Sequence, residues 1–450
     1  MENQKTKLAP KVLFLMGGSL FAMHFGGSSM IWPMTWGKES GTSLPLAFIG
    51  IFMTALLIPL LGYVALSRGK GTFLSISGRV SKRFGLIFCT ITILVLGPLF
   101  CIPRMSAAAW DAFLQVSGFR PESFIAPLVF SIIYYLLTYW FIAQKSGVVD
   151  KLSKILFPVL VVAVVAIIVK GVLMPIGVQQ PKTYTVNSFA YGFKNGYATA
   201  EVLCALVFGQ IIIDDLKFKG IREDKIDISL IKIGIIGIGM LTFTHAGHAF
   251  VGSTAASLFP DLQYSALYSA VVLKLWGTVG GVIFNIALLF AALTTAIGFV
   301  VATANYFKEV SHDTISYNKA AIITLVVSAV ISVVGLNTIV TFVAPLLDIV
   351  YPAAITLTLF YTFVKDFESK KKLFAGYKVG MIVAFVWGIF EGILAYMNMF
   401  KMDAGVLKTI HDAFPLTSSG LGWMPVTALA IIIGALLYKG SGTQTIVKNS

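Results

Sequence analysis

Charged residues are scarce in this sequence. They make up 12% of its 450 residues, against about 25% in an ordinary soluble domain, and 57% of the residues are hydrophobic. A soluble domain cannot enclose so large an apolar fraction, because interior volume grows too slowly with chain length. The composition excludes an ordinary soluble protein and indicates that the apolar surface lies in lipid.

Cysteine is also scarce, and the motifs of common cofactor sites are missing. Cys89, Cys101 and Cys204 have no paired spacing, so the sequence offers neither a disulfide framework nor a cysteine metal site. Residues 69–71, Gly-Lys-Gly, lack the spacing of a phosphate-binding loop. The sequence therefore predicts no resident cofactor and argues against a primary pump.

A catalytic constellation is missing too. A membrane-embedded enzyme needs a set such as an HExxH pair or a serine, histidine and acid on neighbouring helices. Too few titratable residues lie in the apolar segments to assemble such a set. The sequence predicts that the chain is not an enzyme.

What is abundant is long apolar segments. A helix needs about 20 apolar residues to cross the hydrocarbon core. Such segments lie near residues 12–36, 43–66, 85–112, 123–144, 153–177, 186–213, 229–251, 275–306, 319–338, 339–363, 376–399 and 423–439. They predict an all-α membrane protein of about twelve transmembrane helices, forming a single transmembrane domain over residues 1–450.

The basic residues predict the orientation of these helices. Most of the 34 Lys and Arg residues fall in alternate loops and in both terminal segments. Cytoplasmic loops are rich in Lys and Arg, so both termini are expected to face the cytoplasm of a bacterial cell, with the chain in the inner membrane. The first apolar segment is too long for a signal-peptide core, so it is expected to be retained.

Two of the segments contain residues that interrupt a helix. The first has Gly26-Gly27-Ser28-Ser29 near its middle, and the sixth has Gly192, Gly196 and the stretch 197–200 before an acid, Glu201. Such small residues are poor helix formers, and unwound backbone survives in a membrane only inside protein or beside a wet cavity. Close helix packing would also explain them.

The first and sixth segments are five apart. Interrupted helices at corresponding places in two halves are the sequence pattern of inverted-repeat transporters, and a channel would lack it. The predicted repeats are residues 12–177 and 186–363, with two extra helices over 376–439.

Three short motifs give the chain a family resemblance. They are Gly97-Pro98-Leu99-Phe100 with Pro103-Arg104, Gly192-Phe193-Lys194-Asn195-Gly196-Tyr197 leading to Val207-Phe208-Gly209, and Leu293-Thr294-Thr295-Ala296-Ile297-Gly298. At these residues the chain resembles the bacterial branched-chain amino acid uptake family, the Leu/Ile/Val:cation symporters. The resemblance implies a leucine-transporter-like fold with a 5+5 inverted repeat and discontinuous helices 1 and 6. It also implies Na⁺-coupled import of Leu, Ile and Val by alternating access. Proton coupling and another apolar amino acid are the alternatives, and the oligomeric state stays open.

The resemblance also implies a set of site residues. Backbone N–H groups in the break of the first helix would receive the substrate carboxylate, and carbonyls in the break of the sixth would take its ammonium group. The expected substrate-binding residues are Gly26, Gly27, Ser28, Ser29, Tyr197, Ala198, Thr199, Ala200 and Glu201. The expected Na⁺ ligands are the carbonyls of Ala22, Phe25 and Ala291 and the hydroxyls of Thr294 and Thr295. Hard cations prefer such oxygen ligands.

The chain departs from the family pattern at Ser29, where Asn is usual, at Glu201, where Asp is usual, and at Asp111, where Glu is usual. Glu201 is expected to coordinate the cation or substrate, with a structural hydrogen bond as the alternative, because a carboxylate inside a membrane is costly. Arg104, seven residues before Asp111, is expected to form a structural ion pair with it or to reach the interface near the outer end, with a gate as the alternative. For His24, a buried imidazole and a proton relay are both open.

Overall fold

The computed structural model describes residues 7–143, 148–367 and 369–438, and for residues 148–159 it describes the backbone alone. Every regular element among these residues is helical. The helices are α1 (Pro10–His24), α2 (Gly27–Ser40), α3 (Leu44–Ile51), α4 (Ile58–Gly69), α5 (Phe73–Gly78), α6 (Lys82–Leu94), α7 (Cys101–Ser117), α8 (Ile125–Ala143), α9 (Val148–Leu173), α10 (Ser188–Asn195), α11 (Glu201–Phe218), α12 (Ile226–Ser253), α13 (Tyr264–Val310), α14 (Tyr317–Ser332), α15 (Leu336–Phe363), α16 (Lys371–Met399), α17 (Gly405–Asp412) and α18 (Trp423–Leu436).

Several of these helices have the length and composition of membrane spans. Seven helical stretches are long and apolar enough to cross a membrane, and the bent pair of α10 and α11 makes eight. Shorter apolar helices occupy Leu160–Leu173, Tyr317–Ser332 and Trp423–Leu436. The chain is therefore a multi-span helical protein. The predicted orientation of the termini concerns residues 1–6 and 439–450, which lie outside the described residues.

The first predicted segment is interrupted where the sequence indicates. Helix α1 ends at His24 and α2 begins at Gly27, so Phe25 and Gly26 alone separate the two helices. The prediction of unwound backbone over Gly26 to Ser29 was too long, because Gly27, Ser28 and Ser29 already form the first turn of α2.

The sixth predicted segment is also interrupted. Between α10 and α11 a short 3₁₀ turn, Gly196–Thr199, leads to Ala200 at φ 61°, and the two halves are bent by 45°. Close packing between helices explains the glycine at position 192, because a Cβ at Gly192 would lie 1.9 Å from the Ala47 carbonyl oxygen. Close packing and an interruption, offered by the sequence as alternatives, are therefore both present.

A third interruption was not predicted. Helices α6 and α7 are joined by π-helical residues Val95–Leu99, where Gly97 leaves the helical region with φ −92° and ψ −121°. Pro98 has no N–H to donate. A Cβ at Gly97 would lie 2.5 Å from the Thr303 hydroxyl oxygen, so α13 closely approaches the irregular backbone. The sequence motif beginning at Gly97 therefore marks a break that lies against α13.

The boundary between the ninth and tenth predicted segments is observed. Helix α14 ends at Ser332 and α15 begins at Leu336. Gly335 between them has φ 86°, a backbone conformation that side chains other than glycine rarely adopt. The left-handed glycine separates one long apolar run into two helices.

Helix α2 is fixed against α12 through glycine contacts. A Cβ at Gly37 would lie 1.8 Å from the Ala249 carbonyl oxygen, and one at Gly252 would lie 2.0 Å from that of Met34. Glycine allows the two backbones to touch, which is how membrane helices gain contact area without a hydrophobic drive between them. This contact holds α2, and hence the break that precedes it, in a defined position.

Candidate substrate and cation site

The break in the first helix leaves several backbone groups free. Phe25 N–H donates to the Phe21 carbonyl at 2.7 Å, and Gly26 N–H donates to that of His24 at 2.8 Å. In the part of the chain that the structure describes, no backbone N–H donates to the carbonyl oxygens of Ala22 or Phe25. The N–H groups of Gly27 and Ser28 belong to the first turn of α2, where a helix has no internal acceptors for them.

Glycine is required at the break because two other helices touch it. A Cβ at Gly26 would lie 2.4 Å from the Thr295 hydroxyl oxygen on α13, and one at Gly27 would lie 2.9 Å from the Met105 sulfur on α7. The free backbone groups therefore lie between α7 and α13. The small residues allow this approach, as well as weakening the helix.

The five expected cation ligands all line one cavity. Its volume is about 1190 Å³, and its wall includes Ala22 and Phe25 from the break and Ala291, Thr294 and Thr295 from α13. The hydroxyls of Thr294 and Thr295 donate to the Ala291 carbonyl at 3.0 and 2.8 Å, so their lone pairs stay available. Carbonyl and hydroxyl oxygens are the ligand types that suit Na⁺.

The cavity extends from the break to an exposed rim. Thr72, Asn305 and Glu309 form part of that rim, and their side chains are exposed. Most of the wall between is apolar, including Phe208 and Phe299, whose ring centroids are 5.5 Å apart. An apolar wall with polar groups at one end is typical of sites for small molecules with apolar side chains.

Contacts on the other side of the break join the helices there. The Lys38 ammonium group donates to the carbonyls of Pro260 and Leu262 at 2.7 Å each. The rings of Tyr197 and Tyr351 stack at 4.1 Å, joining the break of the sixth segment to α15.

Glu201 lies in a buried chain of hydrogen bonds across the two breaks. Its carboxylate accepts from the Ser29 hydroxyl and lies against His24 Nδ1, while His24 Nε2 lies against the Tyr63 hydroxyl. The Ser29 hydroxyl also lies 2.7 Å from the His24 carbonyl oxygen. Glu201 and His24 are 2% and 5% exposed. The His24 imidazole is therefore buried with a partner on each nitrogen.

Arg104 was predicted wrongly. It forms no ion pair with Asp111 and does not reach an interface, since it is 1% exposed. Its guanidinium donates to the Ala198 carbonyl at 2.6 Å and to the Thr199 carbonyl at 3.5 Å. Helix α7 runs from Cys101 to Ser117, beyond the predicted end at residue 112, so Arg104 lies well before the end of its helix, just after the unpredicted interruption at Val95–Leu99.

The expected substrate residues are thus brought together, but their groups are not all free. Gly26 to Ser29 and Tyr197 to Glu201 face each other through Ser29 and Glu201. Three of the carbonyls expected to bind the ammonium group already accept hydrogen bonds. The Tyr197 carbonyl accepts from Ala200 N–H at 2.8 Å, and the carbonyls of Ala198 and Thr199 accept from the Arg104 guanidinium.

Two partners in this region were missed by sequence reasoning. Tyr63 carried no signal, because one tyrosine in an apolar segment resembles any other. Asp348 lies in the tenth apolar segment, and its carboxylate is 3.4 Å from the Lys194 ammonium group on α10. An acid and a base inside two apolar segments were a signal that could have suggested this pair.

Two solved structures share the fold of this chain. The chain is similar to MhsT in complex with L-phenylalanine, at a TM-score of 0.50 and 17% identity, over 96% of this chain and 99% of that one. It is also similar to Mhp1, a nucleobase-cation-symport-1 family transporter, at a TM-score of 0.55 and 14% identity, over 91% of this chain and 95% of that one. At such low identities the likeness concerns the fold alone.

Sequence comparison gives the family. A relative in Bacillus subtilis (strain 168), the branched-chain amino acid permease BraB, is 30% identical over 440 residues, covering 96% of this chain and 97% of the relative. The sequence model of a family described as "Branched-chain amino acid transport protein" matches residues 10–441. This is a family of transporters and not of enzymes. The chain belongs to the branched-chain amino acid transport protein family.

Proposed function

We propose that the chain is a secondary active importer of Leu, Ile and Val that couples their entry to Na⁺ by alternating access. The observation that carries the proposal is that Ala22, Phe25, Ala291, Thr294 and Thr295 all line one cavity at the break between α1 and α2. Five oxygen-bearing groups from two helices are a donor set for a hard cation. The apolar wall that continues from them suits an aliphatic side chain.

The rim of the cavity supports an inward-facing state. The loop around Thr72 contains Arg68, Lys70 and Arg79, and Lys308 precedes Glu309 at the other part of the rim. Basic residues concentrate in cytoplasmic loops, so this rim would face the cytoplasm. Substrate and Na⁺ would leave through the cavity after α1, α2, α3, α4, α10, α11 and α12 have rocked against the remaining helices.

The wider architecture is part of the same proposal. It has twelve transmembrane helices in a single domain, with inverted repeats over residues 12–177 and 186–363, two extra helices over 376–439, and both termini in the cytoplasm of a bacterial cell. The interruptions at Phe25–Gly26 and at Ala200 support the repeat, because they fall in helices five apart.

Sodium entry would supply the driving force. One positive charge moving inward through 100 mV releases about 2.3 kcal/mol, which corresponds to roughly fifty-fold accumulation before any Na⁺ concentration gradient. Counterflow and uptake in proteoliposomes with labelled Leu, Ile, Val, Phe and Ala test the proposal. Uptake of the first three should require an inward Na⁺ gradient. A proton gradient that drives uptake without Na⁺ would overturn the choice of ion, and failure of all three to enter would overturn the substrate.

The threonine pair on α13 gives a direct test of the cation site. Replacing Thr294 and Thr295 together by Ala removes two hydroxyl ligands, so the Na⁺ concentration for half-maximal leucine uptake should rise about tenfold or more. The control is the double Ser variant, which keeps both hydroxyls and should stay near the wild-type value. Sodium dependence that is unchanged in the double Ala variant would remove these residues from the site.

A further inference from the structure

Arg104 has a charge that the proposed cation site does not use. Its side chain is 1% exposed and lies at the level of both helix breaks. No carboxylate among the described residues forms an ion pair with it, and its Nε has no hydrogen-bond partner there. An ionised side chain inside a membrane protein is costly and is normally paired or functional. A buried guanidinium with no carboxylate in direct contact points to an anionic group that arrives from outside the chain.

The groups in contact with the guanidinium are aromatic rings and backbone carbonyls, which carry no net charge. Its central carbon lies 4.1 Å from the centroid of the Phe100 ring and 5.1 Å from that of Trp32. Arginine stacks on aromatic faces and keeps its planar fork of donors free for a carboxylate. The ring contacts therefore orient the fork, and the two carbonyls of Ala198 and Thr199 occupy part of it with neutral acceptors.

The neighbouring helix N-terminus does not provide enough positive charge for a carboxylate. The free N–H groups of Gly27 and Ser28 carry a partial charge of about +0.5 at most. The Glu201 carboxylate already lies beside the same turn, through the Ser29 hydroxyl. A second carboxylate next to Glu201 would be repelled unless a full positive charge lies near it. Arg104 is placed for that task, because its guanidinium lies 5.1 Å from the ring centroid of Trp32, in the same helix α2.

We propose that Arg104 binds the carboxylate of the transported amino acid and that the helix-break carbonyls exchange partners when it does. In the state described, the guanidinium donates hydrogen bonds to the carbonyls of Ala198 and Thr199. When a zwitterionic substrate enters, its carboxylate accepts from the guanidinium, and its ammonium group donates to the carbonyls that the guanidinium leaves. Each charge of the substrate then meets the opposite charge or dipole, and no buried group loses its partner. This inference rests on the proposed amino acid transport function and names the group that requires the substrate to be a zwitterion.

The test compares leucine with isopentylamine, which has the same side chain and amine without the carboxylate. Purified protein is reconstituted in proteoliposomes, and each compound competes against labelled leucine in counterflow. In the wild type, isopentylamine should compete roughly a hundredfold less well than leucine, because the guanidinium is left without its charged partner. In Arg104→Gln, leucine should bind roughly thirtyfold more weakly while isopentylamine is unchanged, so that the ratio between them falls.

Further variants separate this role from a structural one. Arg104→Lys keeps the charge but loses the planar set of guanidinium donors, so its ratio of leucine affinity to isopentylamine affinity should be intermediate. The Lys variant also provides the measurement if the Gln variant does not fold. Arg120→Gln, an exposed arginine in the loop after α7, is the matched control and should leave both affinities unchanged. A structural role for Arg104 would weaken leucine and isopentylamine equally in the Gln and Lys variants, and the unchanged ratio would overturn the inference. Failure of the wild type to take up leucine would instead overturn the proposed function.

Discussion

Leucine uptake into proteoliposomes should fall at least about tenfold when Glu201 is replaced by Gln, because a charged acceptor at the junction of two broken helices is lost. The carboxylate accepts from the Ser29 hydroxyl and lies against His24, and it is 2% exposed. Glutamine keeps the shape but presents an NH₂ group on one side, so Ser29 and His24 cannot both keep their present bonds. The effect is expected to be large because water cannot reach this site to replace a lost partner.

Initial rates of labelled leucine uptake, at matched amounts of reconstituted protein, measure this effect. Glu223→Gln is the control, because Glu223 is exposed in the short turn before α12 and the same chemical change there should leave the rate unaltered. Glu201→Asp keeps the charge with a shorter reach and should retain part of the activity. Uptake at the wild-type rate in Glu201→Gln would show that the buried hydrogen-bond chain is not needed for transport.

Folding should fail, or thermal stability should fall sharply, when Gly252 is replaced by Leu. A Cβ at this position would lie 2.0 Å from the Met34 carbonyl oxygen, and backbone cannot move aside as a side chain can. Overpacking of this kind costs about 3 kcal/mol or more when helices must separate. The break lies at the N-terminus of α2, so a displaced α2 would also displace the break. Any Gly252→Leu protein that does fold should therefore transport poorly.

The matched variant for this prediction is Gly239→Leu on the same helix. Gly239 is exposed, and a Cβ there would meet no atom within 4 Å. The yield of monodisperse protein in detergent and its melting temperature should be near wild type for Gly239→Leu and low for Gly252→Leu. Equal stability of the two variants would mean that α2 and α12 do not pack as closely as described.

The positions of the helix breaks were largely predictable from local sequence. Gly26 and the stretch before Glu201 lack the side chains that support a continuous helix, and the breaks lie at Phe25–Gly26 and at Ala200. Their exact extent was not predictable. Ser28 and Ser29 return to helix because the Ser29 hydroxyl is held by the His24 carbonyl and by Glu201, and Glu201 is distant in sequence.

The environment of Arg104 was not predictable in the same way. Counting residues along a continuous helix placed it near the outer end, with Asp111 two turns away. The helix instead continues to Ser117, beyond the predicted end at residue 112, so Arg104 lies well inside it. The irregular stretch Val95–Leu99 also changes the direction in which the following residues point, and a periodicity that assumes an unbroken helix cannot give that direction.

Hydropathy and helix propensity are properties of neighbouring residues, so they were enough to predict a helical, multi-span membrane protein with interrupted first and sixth segments. Which groups fill those interruptions depends on contacts between helices that are distant in sequence. Arg104 rests on the carbonyls of Ala198 and Thr199, and Glu201 joins Ser29 to His24, because separate helices cross at one point. Such pairings depend on how far each helix is shifted along its neighbour, and no local pattern of residues records that displacement.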